Sequence, residues 1–248
     1  METKPTNAGR TARDRARAEL TREIKDEARR QLAQGELSLR AVSRALGMVS
    51  SALYRYFPSR DDLLTALIID AYNSLGDAVT EADPGPDAAP RTRWHAVCGR
   101  VREWALANRH EYALIYGSPI PGYQAPRTTV APGTRVSLLL VAIISDGWRS
   151  GTMTEPADAP PLPPELAEEL DRLSALIEVE LPPLVLGRML MAWTQLFGMV
   201  SFELFGQLVG VVDPTGYFFD HTLDEMADFI GLPGRIEADH IGENTQNT

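Results

Sequence analysis

The chain has 248 residues, 44% of them hydrophobic and 23% charged, with one cysteine and a formal net charge of −10. That length accommodates one large domain or two small ones around a packed core. The single cysteine, Cys98, excludes an internal disulfide and a cysteine-rich zinc site. The overall acidity argues against nucleic acid, yet the charge is unevenly placed. Residues 1–60 carry thirteen Lys and Arg against seven Asp and Glu, and residues 61–248 carry eleven against twenty-seven. A basic head on an acidic body suits a small DNA-reading domain joined to a part with another task. The alternative is a chance excess of arginine on one exposed helix.

In chain order, residues 1–10 are polar and read as a disordered arm. The charged first thirty residues lack an apolar core of the secretory type, so no signal peptide is expected. From Thr11 onward, Ala16, Leu20, Ile24, Ala28 and Leu32 recur every four residues, an apolar stripe on a charged helix that Gly35 ends. Ser38 stands at an N-cap position ahead of Leu39, Val42 and Leu46, and Gly47 follows where a helix ends in the left-handed conformation. Ser50 is the expected cap of a second short helix over 50–56, with Val49, Leu53 and Phe57 on its inner side. Two short helices joined by a glycine-containing turn describe a helix-turn-helix, whose second helix can enter the DNA major groove.

Pro58 stops that helix. Ser59, with Asp61 and Asp62 in the first turn, starts a long one over 59–82. After a turn-rich break at 83–91, helices are predicted over 92–108, 109–116, 132–150, 164–178, 182–209 and 215–230. Long loops at 117–133 and 151–164 separate some of them, and no alternating strand pattern appears. The fold class is all-α. The apolar runs at 136–145 and 189–202 fall short of the ~20 residues that a bilayer requires. A soluble, reducing, cytoplasmic setting is the expectation.

The chemistry of the second short helix follows from its outward positions. Arg55 can present a two-toothed donor to guanine, Ser51 can pair with either base type, and the Ala52 methyl can meet a thymine methyl. Tyr54 and Tyr56 carry hydroxyls suited to phosphate, as do Ser38, Arg40 and Ser50 at the helix starts. Each has a plainer reading: the serines as caps, Tyr54 as a packing ring, Arg55 as a phosphate contact or an exposed cation. Arg10, Arg13, Arg15 and Arg17 form either an arm for the minor groove or a solvated helix face.

The N-terminal unit resembles the TetR family of bacterial transcriptional regulators. The matching residues are Ile24, Ala28, Gly35, Ser38-Leu39-Arg40, Val42, Leu46-Gly47-Met48-Val49-Ser50, Leu53-Tyr54-Arg55-Tyr56-Phe57, Ser59-Arg60 and Leu63. Ser38 stands where threonine is usual, Tyr56 where histidine is, Arg60 where lysine is, and Ser43 where alanine is. The family pattern adds Arg60 to the phosphate contacts. Trp193-Thr194-Gln195-Leu196-Phe197-Gly198 resembles the tryptophan–histidine–glycine signature of one regulatory-domain subgroup, with Phe197 in the histidine position.

The resemblance implies a helix-turn-helix domain over 11–58, a connecting helix over 59–82, a helical regulatory and dimerisation domain over 83–233 and a flexible tail over 234–248. It also implies a homodimer on a palindromic double-stranded operator and repression relieved by a small molecule. The aromatic residues Trp104, Tyr112, Tyr116, Trp148, Trp193 and Phe197 suit either an ordinary core or a cavity for a small apolar or amphipathic effector. Glu111 and Gln195 are candidates to orient it. Val200, Leu204, Phe219, Leu223, Met226 and Phe229 suit a four-helix seam between subunits or, alternatively, a monomer core.

No cofactor or metal is expected: His95 and Cys98 lie one helical turn apart, without a third ligand nearby. Two other function classes remain as alternatives. An enzyme on a helical scaffold would need a phosphate loop, nucleophile elbow or HExxH motif, and the sequence has none. The four histidines (His95, His110, His221, His240) are scattered as well. A nonspecific architectural DNA binder is disfavoured by the acidic body.

Overall fold

In the computed structural model, which describes residues 7–35, 37–155 and 159–234, helices form where apolar residues repeat at three- and four-residue intervals. Ten α-helices and no strand occur among the described residues. They are α1 (Asn7–Ala33), α2 (Leu39–Ala45), α3 (Ser50–Leu53), α4 (Arg60–Ala82), α5 (Pro90–Ala107), α6 (Arg109–Tyr116), α7 (Val130–Arg149), α8 (Pro164–Leu176), α9 (Pro183–Leu204) and α10 (Thr215–Ile230). A single 3₁₀ turn, Arg127–Thr129, leads into α7 within the stretch expected to be loop. All of the expected tail at 234–248 except Gly234, and the first six residues of the arm, lie outside the described residues, whereas residues 7–10 already belong to α1.

Packing divides the chain into two units. The first holds the chain up to Ser74 together with Asn108–Gly133; the second holds Leu75–Ala107 and the chain from Thr134 onward. This grouping differs from the expected division at residue 58, because α6 packs on α1 and the first four turns of α4 belong to the same core as the reading helices.

In the first unit the core is Ile24 and Ala28 of α1, Leu39 and Val42 of α2, Leu53 of α3, Phe57, and Leu63, Leu64 and Leu67 of α4. Gly47 closes α2 at φ 64°, and the Met48 N–H reaches back to the Ser43 carbonyl at 2.8 Å. Ser59 caps α4: its hydroxyl accepts the Asp62 N–H at 3.1 Å and donates to the Asp62 carboxylate at 2.7 Å.

Three sequence expectations shift here. Val49 is the N-cap of α3 and 70% exposed, because a residue ahead of the helix does not follow the helical period that buries Leu53. The helix itself is a single turn, with Tyr56 N–H on the Leu53 carbonyl at 2.8 Å tightening its end ahead of Pro58. The cap role also moves: Ser50 is the first helical residue, and Ser38 holds its N-cap place without a side-chain bond to the helix.

The second unit is built on α9, which packs against α5, α8 and α10. Trp94, Val97, Cys98 and Val101 of α5 meet a core shared with Val185, Leu186, Met189 and Leu196 of α9, and Trp94 donates its indole N–H to the Leu223 carbonyl at 3.2 Å. Cys98 is wholly enclosed, and burial pushes its thiol well above the usual range. Buried Arg93 donates to Asp83 at 2.8 Å and to Asp146 at 2.7 Å. Arg102 grips Glu203 with two bonds of 2.6 and 2.7 Å.

Five of the six residues expected at a subunit seam lie inside this unit: Val200, Leu204, Phe219, Leu223 and Met226 are buried within the single chain. Only Phe229 is open, with the Arg188 guanidinium 4.5 Å from its ring centre. The apolar surface left over is on the opposite face of α9, at Met191 and Phe202, which are 60% and 56% exposed. Between them Gly198 has no neighbour that an added Cβ would touch. The helix ends at Leu204 rather than 209 because Gly206 turns left-handed at φ 82° and the Gln207 N–H folds back on the Phe202 carbonyl at 2.9 Å.

The segments Arg127–Arg149 and Pro183–Leu204 are long and apolar enough to cross a bilayer by length and composition, which the shorter runs 136–145 and 189–202 did not suggest. In α9 Val185, Leu186, Met189, Leu196, Val200 and Leu204 are buried, whereas Met191 and Phe202 stay exposed.

Candidate nucleic-acid interface

The helix-turn-helix presents its polar side chains from a firmly packed base. Leu39, Val42 and Leu53 point into the core, which leaves Arg40, Arg44, Ser51, Tyr54 and Arg55 exposed on α2, α3 and the turn after them. Among the described residues, Arg40, Arg44 and Arg55 form no ion pair, so their charge is free for a partner. Ser38 and Ser50 are also exposed, while Ala52 and Tyr56 are half-buried.

The structure assigns two of the expected contacts a second task. Arg60 donates its Nε–H to the Leu37 carbonyl at 3.2 Å and lies 3.7 Å from Asp61, tying the start of α4 to the residue ahead of α2. Tyr56 has the Arg17 guanidinium of α1 5.3 Å from its ring centre. Arg44 was not among the expected contacts, although it lies four residues after Arg40 and hence on the same face of α2.

Ser43 stands where the family pattern has alanine, and the structure gives its hydroxyl partners. Its buried hydroxyl donates to the Arg40 carbonyl at 3.0 Å and lies 3.2 Å from the Ser50 hydroxyl, which links α2 to α3 across the turn. The signal was present in the sequence as a serine where the family pattern has alanine, but its partner seven residues on was not visible.

A second polar cluster in the first unit holds α6. Asp70 of α4 accepts from Lys25 and from Arg29, each at 2.9 Å, and Arg29 lies 3.5 Å from Glu111 of α6. Glu111 therefore faces Arg29 of α1. Gln195, the other candidate to orient an effector, is exposed on α9.

The six aromatic candidates are not one cluster. Tyr112 and Tyr116 stand 5.1 Å apart in the first unit, with Tyr72 edge-on to Tyr116 at 6.0 Å. Burial is the main cause that pushes the Tyr72 and Tyr116 hydroxyls above the usual tyrosine range. In the second unit Trp193 and Phe197 meet at 6.0 Å on α9, Trp104 is buried on α5, and Trp148 is half-buried near the end of α7. A shallow cavity of about 620 Å³ in that unit is lined by Pro160, Leu162, Ala167 and Leu184, and by none of these aromatics.

Among the described residues no three His, Cys, Asp or Glu side chains converge as a metal site. His95 is 3.0 Å from Asp224, while Cys98 faces the core.

Comparison with known proteins places names beside this geometry. Residues 24–67 match the family profile described as bacterial regulatory proteins, tetR family. Residues 94–226 match the profile described as tetracyclin repressor-like, C-terminal domain, and that description names no tryptophan–histidine–glycine subgroup. The HTH-type transcriptional regulator Rv1816 of Mycobacterium tuberculosis (strain ATCC 25618 / H37Rv) is 37% identical over 215 residues, covering 83% of this chain and 89% of that protein. Of solved structures, SCO4313 aligns with a TM-score of 0.71 at 32% identity over 87% of this chain and 98% of its own. A protein from Rhodococcus sp. RHA1 shares the fold, with a TM-score of 0.64 at 22% identity over 87% of this chain and 96% of that one.

Proposed function

The chain belongs to the tetR family of bacterial regulatory proteins and is a DNA-binding transcriptional regulator; from that premise we propose that it works in the cytoplasm as a homodimeric repressor, released from a palindromic operator by a small molecule. The observation that carries the reading is the row of exposed, unpaired cations on a helix-turn-helix whose apolar side is fully packed.

In this reading Arg55 reaches a guanine edge, while Ser51 and Ala52 meet neighbouring bases. Ser38, Arg40, Ser50 and Tyr54 hold phosphates and set the register, as does Tyr56 through its hydroxyl. Arg60 offers phosphate the terminal guanidinium nitrogen that does not face Asp61, while its Nε–H holds Leu37. Arg44 joins them as a further phosphate contact.

One α3 covers few base pairs, so two copies reading a palindrome supply the interface that specific binding needs. The open face of α9, with Met191, Gly198 and Phe202, supports a close helix-to-helix seam with a second copy, extended by Phe229. The aromatic residues suit an effector that is apolar or amphipathic, with Trp104, Trp148, Trp193 and Phe197 of the second unit as one set of candidate walls and Tyr112 and Tyr116 of the first as a separate set. Such a ligand shifts DNA affinity only by binding one state more tightly than the other. Because α4 contributes residues to both units, it is the element through which the two states would differ at the DNA.

The test is a titration of the full chain against duplexes from its own upstream region, with nonspecific competitor and paired half-sites or one half-site alone. Tight binding to the paired site and at least tenfold weaker binding to a half-site or competitor support the reading. Equal affinity for all three duplexes rejects it.

A further inference from the structure

α1 is longer than its core requires. Its buried residues begin at Ile24, and every residue from Thr11 to Glu19 is exposed. A polar helix with no packed face gains nothing from the core and keeps its charge for something outside it. The arginines along it are sorted by face. At about 100° per residue, Arg13 and Arg17 lie within about 20° of the Ile24 direction, on the stripe that Ala28 continues into the core. Arg15 and Arg22 lie about 160–180° away, on the side of Glu19 and Asp26.

The two sides also differ in what their arginines do. Arg15 donates to the Thr11 carbonyl at 3.4 Å, and Arg22 pairs with Glu19 at 3.2 Å. Among the described residues the Arg13 and Arg17 guanidinium groups have neither a carboxylate nor a carbonyl partner, while on the other side Arg15 is held by a carbonyl alone and only Arg22 has a carboxylate. Arg17 instead lies over Tyr56, the residue that closes the reading turn, so this stripe is on the side of α1 that borders the helix-turn-helix. Of the acids on α1, buried Glu27 lies about 60° around the helix from Ile24 and is paired with Arg30, and Asp14 lies about 80° around.

We infer that the projecting turns of α1 are a second DNA contact: a helical cationic rail in which Arg13, continued by Arg17, holds backbone phosphates flanking the bases read by α3. The inference rests on the reading of the helix-turn-helix as a DNA-binding head. It replaces an extended minor-groove arm with a helix that adds affinity and footprint without sequence preference. Charge complementarity fixes the occupant, since phosphate backbone neutralises a stripe that the chain's own carboxylates leave unpaired.

Arg13→Gln and Arg15→Gln remove the same charge from opposite faces of one exposed helix, and helicity by circular dichroism confirms that both variants fold. Each full-length protein is titrated against the upstream duplex and competitor DNA over a salt series. Arg13→Gln flattens the slope of log K against log salt by about 0.9 per subunit and leaves the ratio of specific to competitor affinity unchanged. Arg15→Gln keeps the parental slope. An unchanged slope in Arg13→Gln, or equal changes in both variants, overturns the rail while the head's specificity stands. A parent that binds no duplex overturns the head and the rail together.

Discussion

Arg93 in the second unit is 5% exposed and lies between Asp83 at 2.8 Å and Asp146 at 2.7 Å, whereas Arg55 in the first is exposed and, among the described residues, has no carboxylate beside it. Arg91, Arg102 and Arg135 of the second unit follow Arg93 in gripping acids. Arg40 and Arg44 of the first follow Arg55. A buried guanidinium must be paired, because leaving it alone in a low-dielectric interior costs several kcal/mol. An exposed one costs little unpaired and stays available. Pairing, more than the count of charges, therefore separates structural arginines from those that meet a partner.

The largest expected effect comes from removing a paired cation. Arg93→Met leaves Asp83 and Asp146 without their shared donor and lowers stability by about 3–5 kcal/mol, read by denaturant unfolding. The pH dependence sharpens the point. The Arg93 guanidinium holds the Asp83 carboxyl below its ordinary value, so its contribution is present above the unfolded pKa of about 3.9. That contribution is lost as pH falls through the lower folded value, and the variant lacks this acid-side loss. A neutral Arg93→Met breaks the comparison.

Arg55→Ala has the opposite profile. Stability stays within about 0.5 kcal/mol of the parent, while affinity for the upstream site falls about 10- to 100-fold and affinity for competitor DNA changes far less. A loss of stability instead would class Arg55 with Arg93. The smallest effect is at Glu111→Gln. Arg29 keeps Asp26 at 2.7 Å and Asp70 at 2.9 Å, so the half-exposed pair with Glu111 contributes at most about 1 kcal/mol. Thermal unfolding in low and high salt should show a small difference that salt removes.

Much of the first unit was legible because its signals are local. Gly35 and Gly47 end helices, Ser59 starts one, and the apolar stripe from Ile24 to Leu67 marks the core, whereas the helix expected to run to Pro58 already ends at Leu53. The misreadings have physical causes. Val49 was placed inward by counting a helical period from a residue outside the helix. On α9, apolar on every side between Met189 and Phe202, no periodic contrast tells which face is inward. Val200 and Leu204 were thus assigned to a seam, although Met191 and Phe202 are the exposed pair. The contacts of Asp70 with Lys25 and Arg29 join residues more than forty positions apart, a separation that no local pattern reports.

Cys98 brings a practical advantage. The chain's one thiol is enclosed in the second unit's core and kept protonated by its surroundings, so it is a poor nucleophile at neutral pH. A maleimide dye or nitroxide added to the native chain finds nothing to react with. A cysteine introduced at an exposed position such as Arg15 then becomes the sole attachment point, and no background substitution at Cys98 is needed. In an assembly of two copies, each carries one probe. The probe-to-probe distance, followed by energy transfer or pulsed electron resonance while DNA or a candidate effector is added, turns the spacing of the reading helices into a direct observable.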